Sequence, residues 1–146
     1  MLGVDISSSA IKMVELSDTG KAFCIERYVI EPLPKDAVVD GNVANLEAVG
    51  DAIKRAWRLM GTRVRNVALA LPAAAVITKK ITIPAEQSES EMETLVEAEA
   101  NQYIPFALDE VNLDFQVIGP SPATPDEVEV LVAASRKEKV EDRVAA

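Results

Sequence analysis

The 146-residue chain contains no histidine, so neither a Ser-His or Cys-His nucleophile pair nor a His-bearing zinc site can be assembled from it. Most common hydrolase chemistries are thereby excluded. Its single cysteine, Cys24, cannot close an internal disulfide, and a reducing cytoplasm is the expected environment. Long apolar stretches are missing as well. The longest apolar-rich run, Val67 to Ile77, is too short to cross a bilayer and is broken by Pro72, and the N-terminus has no signal-peptide architecture. Basic residues are outnumbered: 15 against 24 acidic ones leave a net charge of -9, which argues against gripping a nucleic-acid backbone or an anionic membrane surface. What the chain does have is apolar side chain, 49% of its residues, enough for a core in one domain or two small ones.

The stretch Gly3 to Leu16, GVDISSSAIKMVEL, puts an Asp, three consecutive Ser and a Lys into the turn between two apolar, strand-like runs. Short polar side chains and closely spaced backbone N–H groups at such a turn can form an anion-binding concavity, and a carboxylate ending the first strand can hold Mg2+ through water. Asp5 is the candidate carboxylate, and Lys12 the basic residue that reaches back toward a phosphate. The competing reading is an ordinary tight hairpin, with the Ser side chains bonded to nearby backbone and Lys12 solvated.

Along the chain, Leu2 to Ile6, Ile11 to Leu16 and Ala22 to Ile30 read as three strands, the last two joined by the turn Asp18-Thr19-Gly20. Pro32 and Pro34 close the third, and a polar connection leads to a helix from Leu46 to Met60. Leu46, Val49, Ile53, Trp57 and Met60 fall at helical spacing, Asn45 is placed to cap the start and Gly61 to end it. Asn66 to Leu71 follows with the continuous apolar character of a strand covered on both faces. A β-β-β-α-β unit is expected.

After Pro72 the composition changes. Between Lys80 and Arg136 there is no basic residue, while the interval holds 12 of the 24 acidic ones, so a second module is expected. It opens with a strand, Val76 to Ile83, ended by Pro84. Ser88 and Glu91 then form a capping box, and Met92, Leu95, Val96 and Tyr103 make the apolar stripe of a helix running to the stop at Pro105. Two strands, Val111 to Ile118 and Val128 to Ala134, flank a Pro-rich tip, and a last helix begins near Arg136. The glutamates from Glu89 to Glu99 spread around the helix and read as a solvated face, without calcium-loop spacing. Tyr103-Ile104-Pro105-Phe106 reads as a packing plug at the helix end.

With that order of elements in hand, GVDISSSAIKMVEL resembles the first phosphate motif of the actin-like ATPases. More specifically, EAEANQYIPFALDEVNLDFQVIG at residues 97–119 and VEVLVAASRKEKVEDRV at 128–144 closely resemble the PilM family of type IV pilus assembly proteins. The resemblance implies a mixed α/β fold: residues 1–75 as the first part of an actin-like (RNase H-like) subdomain 1A, and residues 76–146 as an inserted, SHS2-like subdomain 1C with its last helix cut short. It also implies a cytoplasmic protein that binds ATP with Mg2+ between two halves. Such a protein sits on the inner face of the inner membrane by holding the cytoplasmic tail of PilN in a groove between 1A and 1C, beside other pilus inner-membrane and motor components, and with self-association.

Carried over by position, Asp5 stands near Mg2+, Ser7, Ser8 and Ser9 face the phosphates, and Lys12 lies beside them. Tyr103, Pro105 and Phe106 are the candidate wall of the tail groove. Ser7 departs from the Gly usual in wider actin-like motifs, where closer backbone approach is possible. Family members continue past the equivalent of Arg143 and carry there the second phosphate loop and the adenosine pocket. The chain is therefore expected to be an N-terminal portion, at most part of a weak ATPase and itself inactive. A cell-division actin relative or a sugar-kinase-like enzyme sharing the opening motif is the alternative.

Overall fold

The computed structural model describes residues 1–146 and has the mixed α/β character expected from the sequence. The chain forms two compact units, Met1–Pro72 together with Glu141–Ala146, and Ala73–Val140. The division expected after residue 75 thus lies at Pro72, and the last six residues return to the first unit.

In the first unit, strands β1 (Leu2–Ile6), β2 (Ala10–Asp18), β3 (Phe23–Pro32) and β6 (Val67–Leu69) make one sheet in the order β3-β2-β1-β6. Only β1 and β6 run parallel. Alternation puts Leu2, Val4 and Ile6 of β1 with Ile11 and Met13 of β2 into the core. Helix α1 (Leu46–Met60) covers them with Val49, Ala52, Ala56 and Met60, spaced at three, four and four residues. Asn45 caps it by accepting the Ala48 N–H at 3.0 Å, and Gly61 ends it with φ 61°. Leu2 is fully buried, and its truncation to Ala would cost about 2 to 5 kcal/mol.

Two features of this unit differ from the sequence reading. The stretch expected as a doubly covered strand supplies only the three residues of β6, all exposed, because β6 is an edge strand paired with β1 alone. The connection before α1 holds a hairpin, β4 (Val38–Val39) and β5 (Asn42–Val43), around Asp40 and Gly41 at φ 49° and 77°. Positive φ at both positions is the type I′ turn whose twist suits two short strands.

The second unit is a three-stranded antiparallel sheet of β7 (Ile77–Pro84), β8 (Val111–Pro120) and β9 (Glu127–Arg136) in the order β7-β9-β8. Helix α2 (Glu89–Ala100) packs Val96 against Ile81, Ile83, Val130 and Val132. Its start follows the expected capping box: the Glu91 carboxylate accepts the Ser88 N–H at 2.8 Å and the Ser88 hydroxyl at 2.6 Å. Its end does not reach Pro105. The chain tightens after Ala100 into i→i−3 bonds, Gln102 N–H to Glu99 and Tyr103 N–H to Ala100, and leaves the helix. Helix α3 (Lys137–Ala145) closes the chain.

Candidate nucleotide and partner sites

The turn between β1 and β2 is tight. Ser7 donates from its N–H (3.1 Å) and its hydroxyl (3.0 Å) to the Ala10 carbonyl, so its side chain is committed to the turn. Ser8 and Ser9 are exposed, and the Ser9 carbonyl accepts the Leu33 N–H at 2.9 Å. Asp5 and Lys12 are register partners on the sheet face away from α1, and the Lys12 ammonium lies 3.3 Å from the Asp5 carboxylate. Both side chains are more than half exposed, so water screens the pair and it adds little stability.

Asp5, Ser7 and Ser8 share a cavity of about 420 Å³ with Asp40, Gly41 and Arg143. Arg143 is 5% exposed, donates from Nη2 to the Gly41 carbonyl at 2.7 Å and from Nε to the Ala70 carbonyl at 3.1 Å, and has no carboxylate within 4.0 Å. Ser9 and Lys12 do not line this cavity. Lys12 and Asp5 instead border a larger apolar hollow of about 720 Å³ on the open sheet face, with Val14, Ile25, Tyr28 and Ile30.

The donor set of the smaller cavity fits a metal–phosphate group. Two carboxylates, Asp5 and Asp40, suit a hard cation, and the Arg143 guanidinium and the Ser8 hydroxyl suit phosphate oxygens. No three carboxylates gather as metal ligands, so Mg2+ there would keep most of its water. Asp40, Gly41 and Arg143 escaped the sequence reading. The Asp40-Gly41 pair is a hairpin signal by itself, whereas Arg143 is one cation among several in a charged terminal helix.

The three candidate partner residues divide. Tyr103 is packed with Ala100, Ile104 and Val111, its hydroxyl is buried without a hydrogen-bond partner, and the Lys79 ammonium lies 4.4 Å from its ring centroid. Burial, and then the charge of Glu99, push its phenol above the ordinary tyrosine range. Pro105 is exposed. Phe106 is 39% exposed, with the Arg136 guanidinium 5.5 Å from its ring centroid. Glu93 and Glu97 of α2 line a hollow of about 490 Å³ together with Leu113, Asp114 and Phe115 of β8. The glutamates expected to spread around α2 thus include one pair, a helical turn apart, that shares a cleft.

Residues 3–146 match the family described as type IV pilus assembly protein PilM. The fold is similar to that of a chain from a PilM-PilN type IV pilus biogenesis complex, with a TM-score of 0.85 and 36% sequence identity over 99% of this chain. That match covers 42% of the other chain, so the present chain spans less than half its length. With a family match across nearly every residue and the mixed α/β, actin-like fold that the sequence led one to expect, the chain belongs to the PilM family of type IV pilus assembly proteins.

Proposed function

We propose that the protein carrying this chain is a nucleotide-binding scaffold of the type IV pilus inner-membrane assembly complex, and that it holds the N-terminal cytoplasmic tail of PilN. It works in the cytoplasm, attached to the inner membrane through partners. The observation that carries this reading is the likeness, at 36% identity over 99% of the chain, to a chain from a PilM-PilN complex.

The nucleotide part of the reading is supported by the cavity around Asp5. ATP with Mg2+ would supply a charged, state-dependent ligand. Asp5 orients the water around the metal, Ser8 offers an exposed hydroxyl and backbone, and Ser7 holds the turn in shape through Ala10. This wall supplies neither an adenine pocket nor exclusion of water, so the 146-residue chain binds Mg-ATP weakly and does not turn it over.

The tail part is supported by exposed Phe106 and by carboxylates of the second unit, which steer a tail bearing Arg or Lys. Isothermal titration of a synthetic PilN tail peptide into the intact protein, with and without Mg-ATP, is the test. Saturable tail binding whose affinity changes with Mg-ATP is expected; a protein that binds neither peptide nor nucleotide overturns the proposal.

A further inference from the structure

Arg143 is a buried cation whose protein partners are two neutral carbonyls, those of Gly41 and Ala70. Its place in the last turn of α3 offsets part of its charge through the helix dipole. That offset is partial, because a guanidinium taken out of water is ordinarily matched by an anion with hydrogen bonds to its remaining donors. Only Nε and Nη2 are used in hydrogen bonds to the protein, although a guanidinium has five N–H donors. The same side chain lines the cavity that holds Asp5, Ser7, Ser8 and Asp40, two of them carboxylates suited to a metal and none of them a cation. Lys12, the basic residue the motif itself provides, is turned to the Asp5 carboxylate on the open sheet face and does not line this cavity.

We propose that Arg143 is the anion-binding residue of this cavity, using its free donors on phosphate oxygens while its Nε and Nη2 bonds hold the fork in place. This inference rests on the nucleotide reading above for the identity of the ligand, and on the geometry alone for the binding of phosphate. Two neighbouring carbonyls orient the planar group in advance, so little side-chain freedom is lost when the anion arrives. Arg143 also ties the Gly41 turn to the segment after β6, so both loops bordering the cavity are held by the residue that meets the ligand.

The test uses the intact protein and four probes: Mg-ATP, Mg-ADP, adenosine and inorganic phosphate. Arg143→Gln is expected to weaken Mg-ATP and Mg-ADP by about tenfold or more while adenosine binding is unchanged. Equal losses for all three, adenosine included, would show a purely structural arginine and overturn the proposal. Because the variant can fail to fold, the Arg143 Nε–H resonance of the parent protein is followed during titration with inorganic phosphate. A saturable shift supports the assignment, and an unmoved resonance in a protein that binds Mg-ATP removes Arg143 from the site while leaving nucleotide binding intact. A phosphate-dependent shift in a protein that binds no nucleotide supports the anion site and overturns the nucleotide reading instead; no shift and no nucleotide binding overturns both.

Discussion

The guanidinium of Arg143 donates from Nε to the carbonyl of Ala70 at 3.1 Å across a sequence separation of 73 residues. With the bond to Gly41, this one side chain satisfies two backbone acceptors in different loops. Arg143→Met keeps much of the apolar stem and removes both donors, and with them two charge-assisted hydrogen bonds. It is expected to destabilise the first unit by about 2 to 4 kcal/mol. Trp57, the only tryptophan and part of that unit's core periphery, reports the loss as an earlier fluorescence transition in urea.

Gly41→Ala is expected to cost more than Gly61→Ala, although both positions have positive φ, at 77° and 61°. Left-handed backbone costs a side chain about 1 to 2 kcal/mol at either site. At Gly61 the added Cβ meets nothing within 4 Å, whereas at Gly41 it meets Pro72 Cβ and Cγ at 3.0 Å. The difference between the two urea midpoints isolates that clash, and equal midpoints would show that Pro72 moves aside freely.

The α2 cap makes the second unit sensitive to acid. Hydrogen bonds from the Ser88 hydroxyl and then the Ser88 N–H hold the Glu91 carboxyl below the usual range. A folded pKa below the unfolded one means that the stabilisation is complete above the unfolded value and is lost as pH falls through the folded value. Glu91→Gln should therefore flatten the acid limb of stability against pH without moving the neutral side toward greater stability. Ser88→Ala should cost about 1 kcal/mol at neutral pH. Circular dichroism melts from neutral to acidic pH check both.

Asp5→Asn keeps the side-chain volume and removes the charge. Mg-ATP binding by the intact protein is expected to weaken while the fold is retained, because the Asp5–Lys12 pair lost with it is solvent-exposed. Calorimetry with and without Mg2+ separates the metal-dependent part. Equal affinity in parent and variant returns the β1–β2 turn to an ordinary hairpin.

Phe106→Ala is expected to lower PilN-tail affinity by about 1 to 3 kcal/mol, the range of an aromatic hot spot. The ring is 39% exposed and partners Arg136, so its loss should leave the second unit folded, which circular dichroism verifies. Added salt should weaken parent and variant alike if the nearby carboxylates act by steering. An unchanged affinity takes Phe106 out of the tail site.

Local signals determine much of this fold without reference to tertiary contacts. The limits of α1 follow from Asn45, Gly61 and a 3.6-residue apolar stripe, and the start of α2 from Ser88 and Glu91, because caps and periodicity act within a few residues of the chain. The Asp5-Ser7-Ser8 part of the cavity was legible for the same reason: it lies within one turn. Other features were decided only by residues distant in sequence. β6 is exposed because its place at the sheet edge depends on the strand order, and β4 and β5 are too short to leave a periodic pattern. Lys12 is directed to Asp5 by antiparallel register, which puts residues seven apart side by side on one face. Arg143 reads as one more helical charge until folding buries it against Gly41 and Ala70, since desolvation and its compensation are properties of a packed environment and not of local sequence.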